Sequence, residues 1–204
     1  MDKSFLSYVE QSVKEHWNLD ALSDYQGSTL KYKDIAKGIA QLHILFEKAD
    51  VKKGDKIALC GRNSSNWGVI FLAVLTYKAV CVPILHDFKA DNIHHIVNHS
   101  DASLLFVGDN VWENLDESSM PNLKAIFLIR DFSLLIDRTG ALLPVLSRLD
   151  RLLAEKYEHF SPAAVSYQRD QPDELAYISY TSGTTSFSKG VMIPYRSLWS
   201  NLKF

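Results

Sequence analysis

The sequence predicts an α/β fold, with a layered α/β/α architecture and a largely parallel sheet. Short apolar runs of strand length alternate with segments whose apolar residues recur at helical spacing. The runs are continuously apolar, which is typical of strands buried on both faces of a parallel sheet. Strands joined through helices favour parallel pairing in a sheet covered on both faces. The predicted strands span residues 56–60, 80–85, 103–107, 125–129 and 175–180.

Helical periodicity defines the elements between these strands. The apolar residues Phe5, Val9, Val13 and Trp17 recur every fourth position, which predicts an amphipathic opening helix. A turn signal at 26–28 separates two short strand candidates and predicts a hairpin. A short acidic helix is predicted between the strands at 103–107 and 125–129. The longer predicted helices span residues 35–46, 67–77, 91–99 and 142–157.

The helix predicted over residues 67–77 is the most apolar of these. The preceding turn offers three N-cap candidates, Asn63, Ser64 and Ser65. Aromatic residues at helical spacing are more often core than ligand-lining, and we expect core packing for Trp67, Phe71 and Tyr77. The run is far shorter than the roughly 20 apolar residues that cross a bilayer, so a buried helix is predicted.

Composition excludes several classes of protein. The 204 residues are 47% hydrophobic and 23% charged, which indicates a globular domain with a sizeable core. The formal net charge of -2 gives no electrostatic footprint for a nucleic acid, and no nucleic-acid partner is predicted. Charged residues interrupt the N-terminal apolar stripe, so it does not resemble a secretory signal and a cytoplasmic location is expected. Cys60 and Cys81 lie in apolar strands, which favours reduced buried thiols.

The segment 181–190 combines the residue types that bind a polyphosphate. It carries six hydroxyl side chains, glycines at Gly183 and Gly190, the cation Lys189 and no acidic residue. Glycine lets peptide N–H groups converge on an anion, while hydroxyls and an ammonium group add further donors. A flexible solvated loop is the alternative, but a strand and a second apolar run flank the segment, which favours a ligand-binding loop. A Walker A motif is rejected because Ser188 precedes the lysine and Gly190 follows it.

The stretch YTSGTTSFSKGV resembles the phosphate-loop signature of the adenylate-forming (AMP-binding) superfamily. The resemblance extends over most of the chain, through TLKYKDIA and GDKIALCGRNSSNWGVIFLAVLTYKAVCVPI, and is weakest between residues 109 and 167. It implies the N-terminal part of the adenylate-forming enzyme fold. Within the superfamily, GVMIPYRSLWSN is more similar to long-chain fatty acid–CoA ligases than to peptide synthetases.

The resemblance implies an ATP-dependent acyl-CoA synthetase with ATP, Mg²⁺ and CoA as cofactors or co-substrates and a fatty acid as substrate. Lys189 is then the catalytic residue of this segment, and no metal ligand is assigned. The implied phosphate-binding residues are Thr181, Ser182, Gly183, Thr184, Thr185, Ser186, Lys189 and Gly190. Three residues depart from the family pattern, which has Gly at the position of Ser186, Pro at that of Ser188 and, in many fatty acyl ligases, His at that of Tyr195.

Two other functions stay open at this point. One is an adenylate-forming ligase for an amino or aryl acid, and the other is a non-catalytic nucleotide-binding module, which the departures at Ser186 and Ser188 motivate. The family's remaining Mg²⁺, ribose and acyl contacts lie beyond this chain. We therefore expect an N-terminal fragment whose partner is the C-terminal part of the same enzyme, with no adenylation by the fragment alone. Peripheral membrane contact stays open.

The domain organisation follows from a polar, proline-containing stretch at 161–174, the best linker candidate. Residues 1–170 are predicted to form the N-terminal α/β subdomain, and 171–204 the phosphate-loop segment with the start of the next subdomain.

His94, His95 and His99 fall on one predicted helix, but no Glu accompanies them as in the zinc-protease motif. We interpret these histidines as surface or half-buried side chains.

Overall fold

Strands and helices alternate through most of the computed structural model, which describes residues 4–181 and 188–202. Its strands are β1 (Asp20–Ser23), β2 (Thr29–Lys31), β3 (Lys56–Cys60), β4 (Val80–Ile84), β5 (Ala102–Val107), β6 (Ala125–Leu128), β7 (Leu134–Asp137), β8 (Leu175–Thr181) and β9 (Lys189–Pro194). Its α-helices are α1 (Phe5–Glu15), α2 (Tyr32–Lys48), α3 (Ser65–Thr76), α4 (Ala90–His99), α5 (Asp109–Trp112), α6 (Leu142–Leu146), α7 (Leu149–Lys156) and α8 (Tyr195–Asn201). Short 3₁₀ turns span Glu117–Ser119 and Pro162–Ala164.

One seven-stranded sheet organises the molecule, in the order β7-β6-β5-β3-β4-β8-β9. The five central strands pair in parallel, and β7 and β9 add antiparallel edges. The chain runs from β3 to β4 on one side and then returns to β5 on the other side of β3. The order therefore reverses between β3 and β5, where open α/β sheets form a ligand crevice at their carboxyl ends. The predicted α/β fold with a largely parallel sheet is confirmed.

Both faces of the sheet are buried by helices. Alternate residues of the central strands point to opposite faces. Ile57 and Leu59 of β3 pack with the apolar faces of α2 and α3, in the larger core. Ala58 and Cys60 face the other way and pack with α4. This arrangement is the α/β/α layering that the sequence predicts.

The opening elements follow the sequence closely. Helix α1 begins after Ser4, whose hydroxyl accepts a hydrogen bond from the Ser7 N–H, and the predicted hairpin forms as β1 and β2. Ser64 is the N-cap of α3, with its side chain accepting from Trp67 N–H. Trp67 and Phe71 stack with ring centroids 5.4 Å apart and pack against the larger core, as Tyr77 also does. Core packing of these three aromatic residues is thus confirmed.

The single helix predicted over 142–157 is wrong. The chain forms α6 and α7 instead, separated at Ser147 and Arg148, and the Arg148 backbone (φ −125°, ψ 16°) leaves the helical conformation. The stretch 161–174 is also more than a polar linker, because Val165 and Asp170 within it are buried. Strand β7 is an element that the sequence analysis did not predict.

The two cysteines are free and buried in adjacent strands of the sheet. Burial disfavours the thiolate and raises the pKa of Cys60 to about 12, and it raises the pKa of Cys81 as well. Both thiols are therefore protonated core groups, as expected.

Among the described residues, no helix has the length and apolar character needed to cross a membrane.

Candidate phosphate-binding site

The predicted phosphate loop connects the two strands of a hairpin. Strand β8 ends at Thr181 and β9 begins at Lys189, and these two residues are paired across the ladder. The preceding pair is Tyr180 with Gly190. The predicted site residues Ser182, Gly183, Thr184, Thr185 and Ser186 lie outside the described residues. The structure therefore brings together Thr181, Lys189 and Gly190 at the base of the loop.

The carboxyl end of β8, at Thr181, shows at which edge of the sheet the predicted phosphate-binding segment begins. Strand β8 is parallel to β4, so its carboxyl end lies at the same edge of the sheet as the carboxyl ends of β3, β4, β5 and β6. Ligands of open α/β proteins bind at this edge, because the loops leaving the strands converge there. The two described ends of the segment, Thr181 and Lys189, thus lie at the edge where a ligand site is expected.

Thr181 and Lys189 share one face of the hairpin. Directly opposed residues of an antiparallel pair project to the same side, and successive residues along a strand project to opposite sides. The side chains of Thr181 and Lys189 are both exposed, on the face opposite Tyr180. Within residues 4–181 and 188–202, no ion pair involves Lys189. An ammonium group and a hydroxyl are therefore available side by side at the start of the loop.

Gly190 permits close packing at the base of the hairpin. A Cβ atom at this position would lie 2.9 Å from Ile178 Cγ2 and 3.1 Å from Tyr180 Cζ. Real Cβ atoms essentially never approach a non-bonded heavy atom within 3.0 Å. The Ile178 side chain therefore occupies the space that a side chain at position 190 would need, and the Tyr180 ring lies tightly beside the same space.

Tyr180 is the last buried residue of β8, with 5% of its surface exposed. Its hydroxyl lies 2.7 Å from Nδ1 of His99, the last residue of α4. The two rings meet edge to face, with centroids 5.8 Å apart and planes at 88°. This contact joins α4 to the hairpin and was not predicted from the sequence, because the two residues are 81 positions apart.

Helix α8 follows the hairpin and is anchored by Tyr195, a position at which the sequence departs from many fatty acyl ligases. Tyr195 is 1% exposed, and its hydroxyl donates a 2.8 Å hydrogen bond to the Leu75 carbonyl. Lys78 is also buried, with Nζ 4.5 Å from the centre of the Tyr195 ring, and it forms an ion pair with Glu174. The aromatic ring at position 195 thus has a structural role beside a buried ion pair.

A cleft of about 480 Å³ opens at the same carboxyl edge of the sheet. Asp24, which follows β1, lines it on one side. The segments that follow the ends of four parallel strands contribute further polar residues: Arg62, Ser64, His86, Asp87, Asp109 and Arg130. Arg130 donates a 2.6 Å hydrogen bond to Asp109, and Asn66 donates to the Arg130 carbonyl at 2.6 Å. This cleft was not predicted from the sequence, although the polar residues that follow the predicted parallel strands were a usable signal.

The three histidines of α4 have separate surroundings. His94 Nε2 accepts a hydrogen bond from the Asp116 N–H at 3.1 Å, whereas His99 contacts Tyr180. His95 and His99 lie with ring centroids 5.5 Å apart. In the part of the chain that the structure describes, no group of three or more His, Cys, Asp or Glu side chains is arranged to hold a metal ion.

The sheet topology defines an open α/β protein, and the described ends of the hairpin strands lie at the carboxyl edge of the sheet, where a ligand is expected in this class. Residues 9–204 match the family model described as AMP-binding enzyme. The chain therefore belongs to the AMP-binding enzyme family, and its fold is that of the N-terminal domains of adenylate-forming enzymes.

Relatives in this family differ in the acids that their names specify. The chain is 24% identical to a long-chain-fatty-acid–CoA ligase of Escherichia coli O157:H7, over 98% of this chain and 38% of the relative. It is 29% identical to a crotonobetaine/carnitine–CoA ligase of Proteus mirabilis (strain HI4320), over 82% of this chain and 31% of the relative. The chain spans less than two-fifths of the length of each.

A solved structure supports the fold assignment. The anthranilate CoA ligase AuaEII, crystallised in complex with anthranoyl-AMP, superposes with a TM-score of 0.77 at 18% identity. The superposition covers 98% of this chain and 36% of the ligase. At this identity the likeness defines the fold and leaves the acid substrate to be tested.

Proposed function

We propose that this chain is the N-terminal part of an ATP-dependent acyl-CoA synthetase, which activates a fatty acid as acyl-AMP and transfers the acyl group to CoA. The observation that carries the proposal is the pairing of Thr181 with Lys189 at the base of the signature loop. Both side chains are exposed on one face, at the ligand-binding edge of the sheet. Family membership supports the same conclusion.

The residues at the loop base fit a polyphosphate. A triphosphate needs several donors and positive charge at short range, and the segment 181–190 has hydroxyls and one lysine with no carboxylate to repel the ligand. Gly190 has no side chain, and the side chains of Ile178 and Tyr180 pack closely against its backbone where the two strands meet. In this proposal Lys189 and Thr181 bind the β and γ phosphates, together with the predicted donors Ser182, Gly183, Thr184, Thr185 and Ser186.

The proposed chemistry has two steps. A carboxylate oxygen of the acid attacks the α phosphorus of ATP, and the bond to the bridging oxygen breaks to release pyrophosphate. The CoA thiol then attacks the acyl carbon and displaces AMP, with loss of the thiol proton. The Lys189 ammonium group stabilises the negative charge that develops on the leaving pyrophosphate, an electrostatic effect that typically dominates such transfers. Mg²⁺, when bound with ATP, supplies further positive charge.

A fatty acid is the acid we propose, on two grounds. The segment GVMIPYRSLWSN after the loop is more similar to fatty acyl ligases than to peptide synthetases, and a long-chain-fatty-acid–CoA ligase is among the relatives. ATP–pyrophosphate exchange by the full-length protein, with a long-chain fatty acid, an aryl acid and an amino acid in parallel, tests this choice. Exchange that depends only on the aryl or amino acid would contradict it.

Titration of the full-length protein with MgATP tests the phosphate-binding role. We expect Lys189→Ala to weaken MgATP binding at least tenfold, because a charged hydrogen bond to phosphate is lost, an effect of about 1.5 kcal/mol or more. Lys48→Ala is the matched control, since Lys48 is an exposed lysine in the last turn of α2. Equal affinity in the wild type and in Lys189→Ala would exclude Lys189 as a phosphate ligand.

A further inference from the structure

A hydrogen bond between His99 and Tyr180 joins the end of α4 to the base of the hairpin. The donor and acceptor atoms are 2.7 Å apart, and the edge-to-face ring contact restricts the tyrosine further. Tyr180 immediately precedes Thr181, the first predicted phosphate ligand. The position of its ring therefore bears on the positions of Thr181 and Lys189.

The Tyr180 ring also contacts the opposite strand. Gly190 is its cross-strand partner, and a Cβ atom built on Gly190 would lie 3.1 Å from Cζ and 3.4 Å from Cε1 of the ring. The ring thus lies across the backbone of β9 one residue after Lys189. A change in the Tyr180 rotamer would move a bulky ring against the strand that carries the proposed phosphate-binding lysine.

Helix α4 provides a rigid support for this arrangement. Its residues Ile93, Ile96 and Val97 are 1%, 0% and 2% exposed and pack in the core on one face of the sheet. His99 extends from the end of this helix to the tyrosine hydroxyl and is itself exposed. The hydrogen bond therefore ties the hairpin to a buried, well-packed element, whereas the histidine can be replaced without disturbing the core.

We infer that His99 is a positioning residue for phosphate binding. Its hydrogen bond holds the Tyr180 ring against Gly190 and thereby fixes the relative positions of Thr181 and Lys189 at the two ends of the loop. His99 has no contact with the nucleotide in this proposal and acts only through Tyr180. The inference rests on the proposed function, because it concerns the same phosphate-binding loop.

The test measures MgATP affinity of the full-length protein in a double-mutant cycle. We expect His99→Ala and Tyr180→Phe each to weaken binding by about fivefold, the effect typical of one lost hydrogen bond. The double variant should bind MgATP no more weakly than either single variant, because both substitutions remove the same hydrogen bond. His99→Asn, which keeps a polar group able to bond the tyrosine hydroxyl, should recover most of the affinity. His94→Ala is the matched control on the same helix and should bind as the wild type does.

Thermal unfolding of each variant separates positioning from general stability. Tyr180→Phe keeps the packed ring and should unfold close to the wild-type temperature, so its lower affinity reports the hydrogen bond. Wild-type MgATP affinity in both His99→Ala and Tyr180→Phe would overturn the inference about His99 and leave the proposed function standing. Strictly additive losses of affinity in the double variant would do the same. If the wild-type protein does not bind MgATP, the proposed function is wrong and the inference falls with it.

Discussion

The carboxylate of Asp170 accepts a 2.8 Å hydrogen bond from the backbone N–H of Leu6, across 164 residues of sequence. The same carboxylate accepts from the Ser4 hydroxyl at 2.5 Å and from the Phe5 N–H at 3.2 Å. These donors belong to the start of α1, where a helix has free N–H groups and favours negative charge. Asp170 therefore fastens the opening helix to the segment that leads into β8.

The first prediction concerns the stability of this attachment. Asp170→Asn removes the charge and one acceptor at a position that is only 6% exposed, and it leaves buried donors without a partner. Hydrogen bonds to a charged group contribute about 1.5–3 kcal/mol each, so we expect a loss of about 2 kcal/mol in the free energy of unfolding. Urea denaturation of the purified chain measures this loss.

Asp173→Asn is the matched control for this experiment. Asp173 is three residues away, exposed, and paired with Arg196 at the surface. Exposed ion pairs contribute about 0–1 kcal/mol, so the control should stay close to the wild type. Equal stability of the two variants would show that Asp170 does not anchor α1.

The second prediction concerns Gly190. An alanine Cβ at this position would lie 2.9 Å from Ile178 Cγ2 and 3.1 Å from Tyr180 Cζ, so either the two side chains or β9 must shift. Overpacking of this kind typically costs about 1–3 kcal/mol. We therefore expect Gly190→Ala to lower the unfolding temperature and to weaken MgATP binding, since the pair next to Thr181 and Lys189 is displaced.

Val191→Ala serves as the comparison for Gly190→Ala. Val191 is the next residue of β9, and its side chain is 48% exposed, so its truncation should change stability and MgATP affinity little. Wild-type stability and affinity of Gly190→Ala would mean that the side chains of Ile178 and Tyr180 can move aside freely. That result would also weaken the positioning role of His99.

The parallel core was predictable because its strands carry a strong local signal. Residues 56–60 are all apolar after Lys56, and the structure begins and ends β3 at these same positions. Burial on both faces requires such continuous apolar runs. Strand β7, in contrast, has four half-buried residues at an antiparallel edge and an apolar run of only three residues, Leu134 to Ile136, which is a weaker signal.

The candidate site was predictable only in part. The composition of segment 181–190 indicated an anion-binding loop, and the fold places its two ends at the expected edge of the sheet. The contacts that support the loop join residues far apart in sequence, such as His99 with Tyr180, and the interaction of Asp170 with α1 is of the same kind. Periodicity reports which face of an element is buried, but it does not report which side chains meet across the core.

The third prediction concerns pH and His43, a residue of α2 whose side chain contacts α3. Its Nε2 atom is 3.1 Å from the Ala73 carbonyl and 3.0 Å from Thr76 Oγ1. Burial disfavours the charged imidazole and lowers the pKa of His43 from 6.5 to about 4, although the hydrogen bond to Ala73 opposes this effect. The folded protein therefore keeps His43 neutral over a pH range in which the unfolded chain binds a proton.

The sign of the pH effect follows from this difference in pKa. Above pH 6.5 His43 is neutral in both states and makes no pH-dependent contribution. As the pH falls from 6.5 to about 4, the unfolded state gains a proton that the folded state does not, so His43 should cost about 3 kcal/mol of stability over this window. Urea denaturation at pH 7 and at pH 4.5 measures the loss, and His43→Gln should reduce it. His159→Gln, at an exposed histidine, is the matched control substitution. An equal pH dependence in His43→Gln and the wild type would exclude His43 as its source.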